Sequence, residues 1–161
     1  MYGKVLIFIG LMILLVGYGC IGEDVYCDRY SDTIARDDCY LKKAGYLAYH
    51  NYPDLSSAED ICVNRISKRE DECYLLLATI SARMERKMAD EDDGYSMDIM
   101  KPIQLCNKTS VMLHNPCLMK VAGITRDPTP CAYLVETKAE TKIGLNLSIL
   151  QDICEDSAGG S

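Results

Sequence analysis

Nine cysteines, two histidines and one run of four acids are the residues of this 161-residue chain whose types suit chemistry. Their spacing narrows what that chemistry is. No two cysteines stand two to four residues apart, so the paired ligands of a zinc site and the C-x-x-C-H attachment of haem are both missing. His50 and His114 fall in expected loops, and no G-x-S-x-G is present. If the cysteines are bonded to one another, only serine and threonine hydroxyls remain as nucleophiles. Asp90-Glu91-Asp92-Asp93 precedes Gly94 as in a calcium loop, yet that frame puts Ala89 at the first ligand position and Met100 at the twelfth. These acids read as a solvated loop. The chain is expected to have no catalytic residue, no cofactor and no metal.

Eight cysteines fall instead into two recurring contexts. RDDCYLKKAG at 36–45 returns as EDECYLLLAT at 70–79 and HNPCLMKVAG at 114–123. Two places before each cysteine stand Asp37, Asp71, Asn115 and, in a fourth weaker copy, Thr129, all types that cap helix N-termini. Asp38, Glu72, Pro116 and Pro130 follow, suited to a first helical turn. Cys39, Cys73, Cys117 and Cys131 are thus expected near four helix starts. Large residues after the first three cysteines, then Ala44, Ala78 and Ala122, make faces that admit a neighbouring helix closely. Cys27, Cys62, Cys106 and Cys154 sit in DVYC, EDIC, IQLC and QDIC, read as late helix running into polar loop.

The elements that position these residues read as helices near 23–31, 38–49, 56–67, 72–89, 97–109, 116–125, 130–142 and 148–156. Breakers separate them at HNYPD, DEDDGYS, RDPTP and Gly144 with Asn146. The fold class is all-α: stacked antiparallel helical hairpins stapled by four disulfides. Residues equidistant from a turn face each other, which favours the pairs 27–39, 62–73, 106–117 and 131–154. A second set, 39–62, 73–106, 131–154 and 27–117, also places its first three pairs symmetrically about loops. The methionines at 84, 88, 97, 100, 112 and 119 read as core filler in a chain without tryptophan and with one phenylalanine, in the leader.

The hairpin pattern resembles the disulfide-bridged relatives of tetratricopeptide repeats over residues 37–125, although the starts lie 34 and then 44 residues apart. The resemblance implies a right-handed helical stack that binds a protein or peptide. DDCY is similar to a stretch of secreted phospholipases A2, but Arg36-Asp37 stands where their His-Asp would be.

Lys4, the uncharged run from Val5 to Val16, and Gly17-Tyr18-Gly19 before Cys20 have the layout of an export signal. GYGCIG resembles the lipidation site of archaeal and bacterial lipoproteins, which implies a lipid on Cys20. Gly17 and Tyr18 depart from that pattern, so the alternatives are an uncleaved anchor or plain secretion with Cys20 free. Setting Cys20 aside leaves eight cysteines, an even number that can pair completely outside the cytosol. The expected organisation is a signal or anchor at 1–19, a tether at 20–22, a repeat domain at 23–157 and a flexible tail at 158–161. Loss of 1–19 leaves 16 cations against 24 acids, which excludes nucleic acid as a partner. Asn107 and Asn146 begin glycosylation sequons. The expected function is a membrane-tethered extracytoplasmic module that binds a protein or peptide without enzymatic activity. The alternatives are a small hydrolase or ligand carrier with a cavity between hairpins, and a subunit of an envelope assembly.

Overall fold

The computed structural model describes residues 26–142 and 144–159; the expected signal, the tether and Cys20 lie outside them. After a helical turn at 26–27 come α1 (Thr33–His50), α2 (Ser56–Asn64), α3 (Glu70–Glu91), α4 (Met100–Cys106), α5 (Val111–Thr125), the 3-10 turn η1 (Thr129–Tyr133), α6 (Lys138–Lys142) and α7 (Leu147–Gly159). The described residues form no strand. α1, α3, α5 and α7 stand in a row, each packed on the next. α2 lies against α1 and α3, α4 against α3 and α5, and η1 against α5 and α7. This is the expected stack of helical hairpins. No helix among the described residues is long and apolar enough to cross a membrane.

Four disulfides join each short covering element to the row helix that follows it: Cys27–Cys39, Cys62–Cys73, Cys106–Cys117 and Cys131–Cys154. Their Cα atoms are 5.5–5.7 Å apart, and the structure takes the local pairing set. One assignment is reversed. Cys131 lies in η1, in the covering layer, and Cys154 lies in α7, in the row, so Cys154 is the fourth member of the series Cys39, Cys73, Cys117. The sequence expectation had placed Cys131 in that series.

The core follows the repeat. The residue after each of the first three row cysteines, Tyr40, Tyr74 and Leu118, is buried, and Ala44, Ala78 and Ala122 are wholly enclosed. A Cβ added to Gly45 of α1 would come within 3.2 Å of Leu76 Cδ2 of α3, and one added to Gly123 of α5 within 3.6 Å of the Ser157 carbonyl oxygen of α7. In both pairs the sixth residue after one row cysteine meets the third after the next. Small side chains here let the row helices approach closely.

The polar residues two before the cysteines do not cap their own helices. Asp32 caps α1 by accepting from the Ala35 N–H at 2.8 Å, and Asp37 lies one turn inside the helix, fully buried. Its carboxylate reaches forward to accept the N–H of Lys68 at 2.8 Å and that of Ser67 at 3.3 Å, in the loop between α2 and α3. Asp71 of α3 accepts the Ser110 N–H at 2.7 Å, in the loop between α4 and α5. Asn115 of α5 accepts the Val135 N–H at 3.0 Å and donates to its carbonyl at 2.7 Å, in the segment after η1. Each of these side chains therefore clamps the loop that leads into the next row element. Thr129 only begins η1, and its N–H is held by Asp127.

Three other expectations change. The helix expected at 130–142 is split into η1 and α6: Leu134 is extended at φ −60° and ψ 143°, and Asn115 holds the Val135 N–H and carbonyl that a continuous helix would use. α5 begins at Val111 rather than 116, so Pro116 is an interior residue whose missing N–H leaves the Met112 carbonyl without its helical donor. The tail expected from 158 is helical through Gly159, with Ala158 buried. Pro102, by contrast, sits in the first turn of α4, where an N–H would have no partner in the helix.

Non-reducing peptide mapping should recover 27–39, 62–73, 106–117 and 131–154, and recovery of 39–62 or 73–106 would contradict this fold. Asp37→Ala should destabilise the chain by about 2–4 kcal/mol in denaturant unfolding, because two N–H groups held by a buried carboxylate lose their acceptor. Asp37→Asn should cost less, since Asn115 performs the same task in the third repeat.

Candidate functional site

The most concentrated polar cluster lies inside the molecule. Glu85 of α3 is 1 % exposed and follows Ala78, Ser81 and Ala82 on the same buried face. Its carboxylate accepts hydrogen bonds from the hydroxyl of Tyr52, from that of Tyr95 at 2.8 Å and from the Asp98 N–H at 2.7 Å. Lys101 closes the cluster: its Nζ donates to the Pro53 carbonyl at 2.7 Å and lies 5.2 Å from the Tyr52 ring centroid. Glu85 thereby ties two loops, 51–55 and 92–99, to the third helix. Burial first, and then the bond to Glu85, hold the Tyr52 hydroxyl proton well above the usual phenol range. The same two causes push Tyr95 up to about 12.

A carboxylate, two phenols and the buried Ser81 hydroxyl are groups that could act in proton transfer, but Ser81 and Glu85 are sealed from solvent. The cluster is a structural hub. Sequence reasoning passed over it, although an acid on the stripe Ala78-Ser81-Ala82 at helical spacing signals a buried charge that needs partners.

The accessible concavities lie elsewhere. A polar trough runs along both sides of α2, with lobes of about 410 and 580 Å³ that share Ser56 and Asp60. Leu47 and Ile61 floor one lobe, and Asp54, Glu59 and Lys101 rim the other. The Ser56 N–H holds the Asp54 carboxyl below its ordinary range. A smaller pocket of about 270 Å³ lies by Tyr26, Lys42 and Tyr46 beside the first disulfide. A cleft of about 460 Å³ opens between the start of α5 and α6, lined by Val111, Met112, Thr137, Lys138 and Glu140. Met112 at 83 % and Val111 at 63 % are the most exposed large apolar side chains among the described residues.

The residues singled out from sequence are scattered around these features. Asn107 is exposed at the end of α4, and Asn146 is exposed while its Oδ1 accepts the Ile149 N–H. His50 ends α1, stacked on Tyr46 with centroids 4.1 Å apart, and His114 lies within α5, its ring nitrogens 3.3 and 3.2 Å from the Cys106 and Tyr133 carbonyls. Neither is a loop residue, and the two are not brought together. Asp90 and Glu91 belong to α3 and pair with Arg86 and Lys87, while Asp92 accepts the Gly94 N–H. No three His, Cys, Asp or Glu side chains among the described residues gather as metal ligands would. None of the six methionines expected in the core is buried; Met119 only packs against its edge. Alanines and leucines fill the space, and the helices approach too closely for methionine at the central positions.

The raised phenol values carry a pH dependence. A free phenol titrates near 10.0 and Tyr95 in the fold is pushed up to about 12, so between these values the folded chain holds the extra proton. The stability this supplies is complete below pH 10 and is lost as pH rises through about 12. Denaturant midpoints followed across that window should fall less steeply in Tyr95→Phe than in the parent chain. Comparison with known proteins adds no relative: no family model, no curated protein and no solved structure matches this chain.

Proposed function

We propose that this chain is an extracytoplasmic module, tethered to a membrane through its N-terminal segment, which binds a segment of a partner protein or peptide and catalyses no reaction. The observation that carries the reading is the cleft at the start of α5, with Met112 and Val111 held in water at its mouth. Apolar side chains left this exposed lose the free energy that burial would return, about 1.5–3 kcal/mol each, and a partner that covers them recovers it. Methionine suits the task because its unbranched thioether adapts to differently shaped surfaces. Lys138 at the rim supplies a cation to orient a peptide backbone or side chain, while Glu140, held by Thr137 and Asn115, shapes the wall.

Four formed disulfides support a compartment outside the reducing cytosol. The tether rests on the apolar run 5–16 and on Cys20. Against a hydrolase, the groups best suited to proton transfer, Ser81 and Glu85, lie where no substrate reaches.

The test places a benzophenone cross-linker at Lys138 of the full chain in its native envelope. One reproducible protein adduct is expected, and Met112→Asp should reduce it about tenfold or more with the helical circular dichroism unchanged. An adduct indifferent to Met112→Asp, or no adduct at all, would overturn the assignment of this cleft.

A further inference from the structure

Each end of the described repeat leaves a connecting group without a partner among the described residues. Asp37, Asp71 and Asn115, each two residues before a row cysteine, clamp the loop ahead of the next row element. Asp152 holds the same position before Cys154 in α7, is exposed, and has no hydrogen-bond or ionic partner among the described residues. The loop it would clamp has a counterpart at the other end of the molecule. In the second and third junctions the clamped N–H belongs to the fourth residue after the covering-layer cysteine, Ser110 after Cys106 and Val135 after Cys131. The fourth residue after Cys27 is Ser31, exposed, whose N–H finds no acceptor among the described residues.

The helix faces repeat this complementarity. Leu76 and Ile80, three and seven residues after Cys73, receive Gly45 of the preceding row helix. Their counterparts on α1 are Lys42 and Tyr46, with no row helix before them among the described residues and Tyr46 56 % exposed. On α7, Asp152 and Asp156 hold the positions of Asp37 and Leu41 on α1 and of Asn115 and Met119 on α5, and both are exposed. α7 contains three acids and no cation, and residues 26–50 carry Arg29, Arg36, Lys42 and Lys43 against Asp28, Asp32, Asp37 and Asp38. Stacked repeats ordinarily end in polar capping faces. Here one end shows Tyr46 exposed beside Lys42, and the other an acidic face.

We infer that copies of this chain stack head to tail, α7 of one against α1 of the next, with Asp152 clamping the Ser31 N–H of the neighbour. The contact is heterologous: the patch on one copy differs from the patch it meets, and each added copy presents a fresh α7 face. It leaves the cleft at Met112 uncovered, so this assembly and the peptide-binding reading stand or fall separately.

The experiment is sedimentation of the detergent-solubilised full chain over a range of concentrations, joined to a benzophenone cross-linker at Tyr46. The expected result is mass that grows with concentration and an intermolecular adduct in the segment 147–159. Asp152→Lys should raise the dissociation constant about tenfold or more, and Asp152→Asn should retain assembly because Asn115 serves as a clamp within the chain. Asp152 is exposed, so either variant should fold, which circular dichroism checks. A monomer at every concentration would overturn the inference, as would assembly unchanged in Asp152→Lys. Tyr46 adducts only to residues 1–25 of the same chain, or only to lipid, would also overturn it by assigning α1's face to the chain's own leader or to the bilayer.

Discussion

The forward clamp is the contact on which the rest of the stack depends. A disulfide fixes where a covering element meets the following row helix, but it leaves a hinge, because one S–S bond permits rotation about it. The carboxylate or carboxamide two residues before the cysteine removes that freedom by gripping the next loop from the previous helix. Each junction is thus held by a covalent bond to one side and a polar contact to the other. Closing loops of 11–23 residues contributes about 3 kcal/mol or somewhat more per bridge in the chain-entropy account. That help matters in a core whose fully buried side chains are mostly leucine, valine, isoleucine, alanine and cystine, with Tyr40 its largest member.

Much of this was legible in the spacing of the cysteines and little of it in the capping residues. Eleven or twelve residues centred on a loop are enough to place two sulfurs opposite each other, and the 27–39, 62–73 and 106–117 bridges follow from that symmetry. Asp37, Asp71 and Asn115 were recognised as acceptors for backbone N–H groups, and so they are. Their donors, however, lie 20–39 residues ahead rather than in the same turn. Local sequence says that a side chain can cap; only the packed neighbour decides whose N–H it caps. The exchange of roles between Cys131 and Cys154 has the same origin. Pro130 before Cys131 looks like a helix start, and nothing local reveals that Asn115 draws Val135 out of helical geometry.

Glu85 shows the complementary principle on the other side of the stack. The clamps hold the loops that enter row helices, and Glu85 holds two loops near the opposite ends of α1 and α3. A carboxylate that accepts from two phenol hydroxyls and a backbone N–H has both oxygens satisfied, which is what makes a buried charge tolerable. The cluster carries the most perturbed ionisation among the described residues, and in a cleft it would mark a candidate active site. Enclosed by Ala82, Ser81 and two tyrosine rings, it marks a joint between loops instead.

On the proposed reading, a partner meets surfaces that the repeat does not consume. Side chains at the row interfaces are fixed by contact with small residues, so a change there alters stability before it alters any binding property. The start of α5 is different. Pro116 withholds the N–H that would bond the Met112 carbonyl, so the first turn of this helix is held less tightly than an ordinary one, while Ser110 beneath it is fixed by Asp71. A rigid base with a looser rim carrying Val111 and Met112 gives adaptable apolar surface without loss of the fold. The same reasoning separates the cleft from the ends of the stack. At the ends, Asp152 and Ser31 hold the positions of the clamp and of the clamped N–H inside the stack, and Lys42 and Tyr46 those of Leu76 and Ile80. At the cleft Met112, five residues before Cys117, stands where Ile34 and Ile149 stand in α1 and α7, and what sets it apart is the wall that Thr137 and Lys138 add beside it.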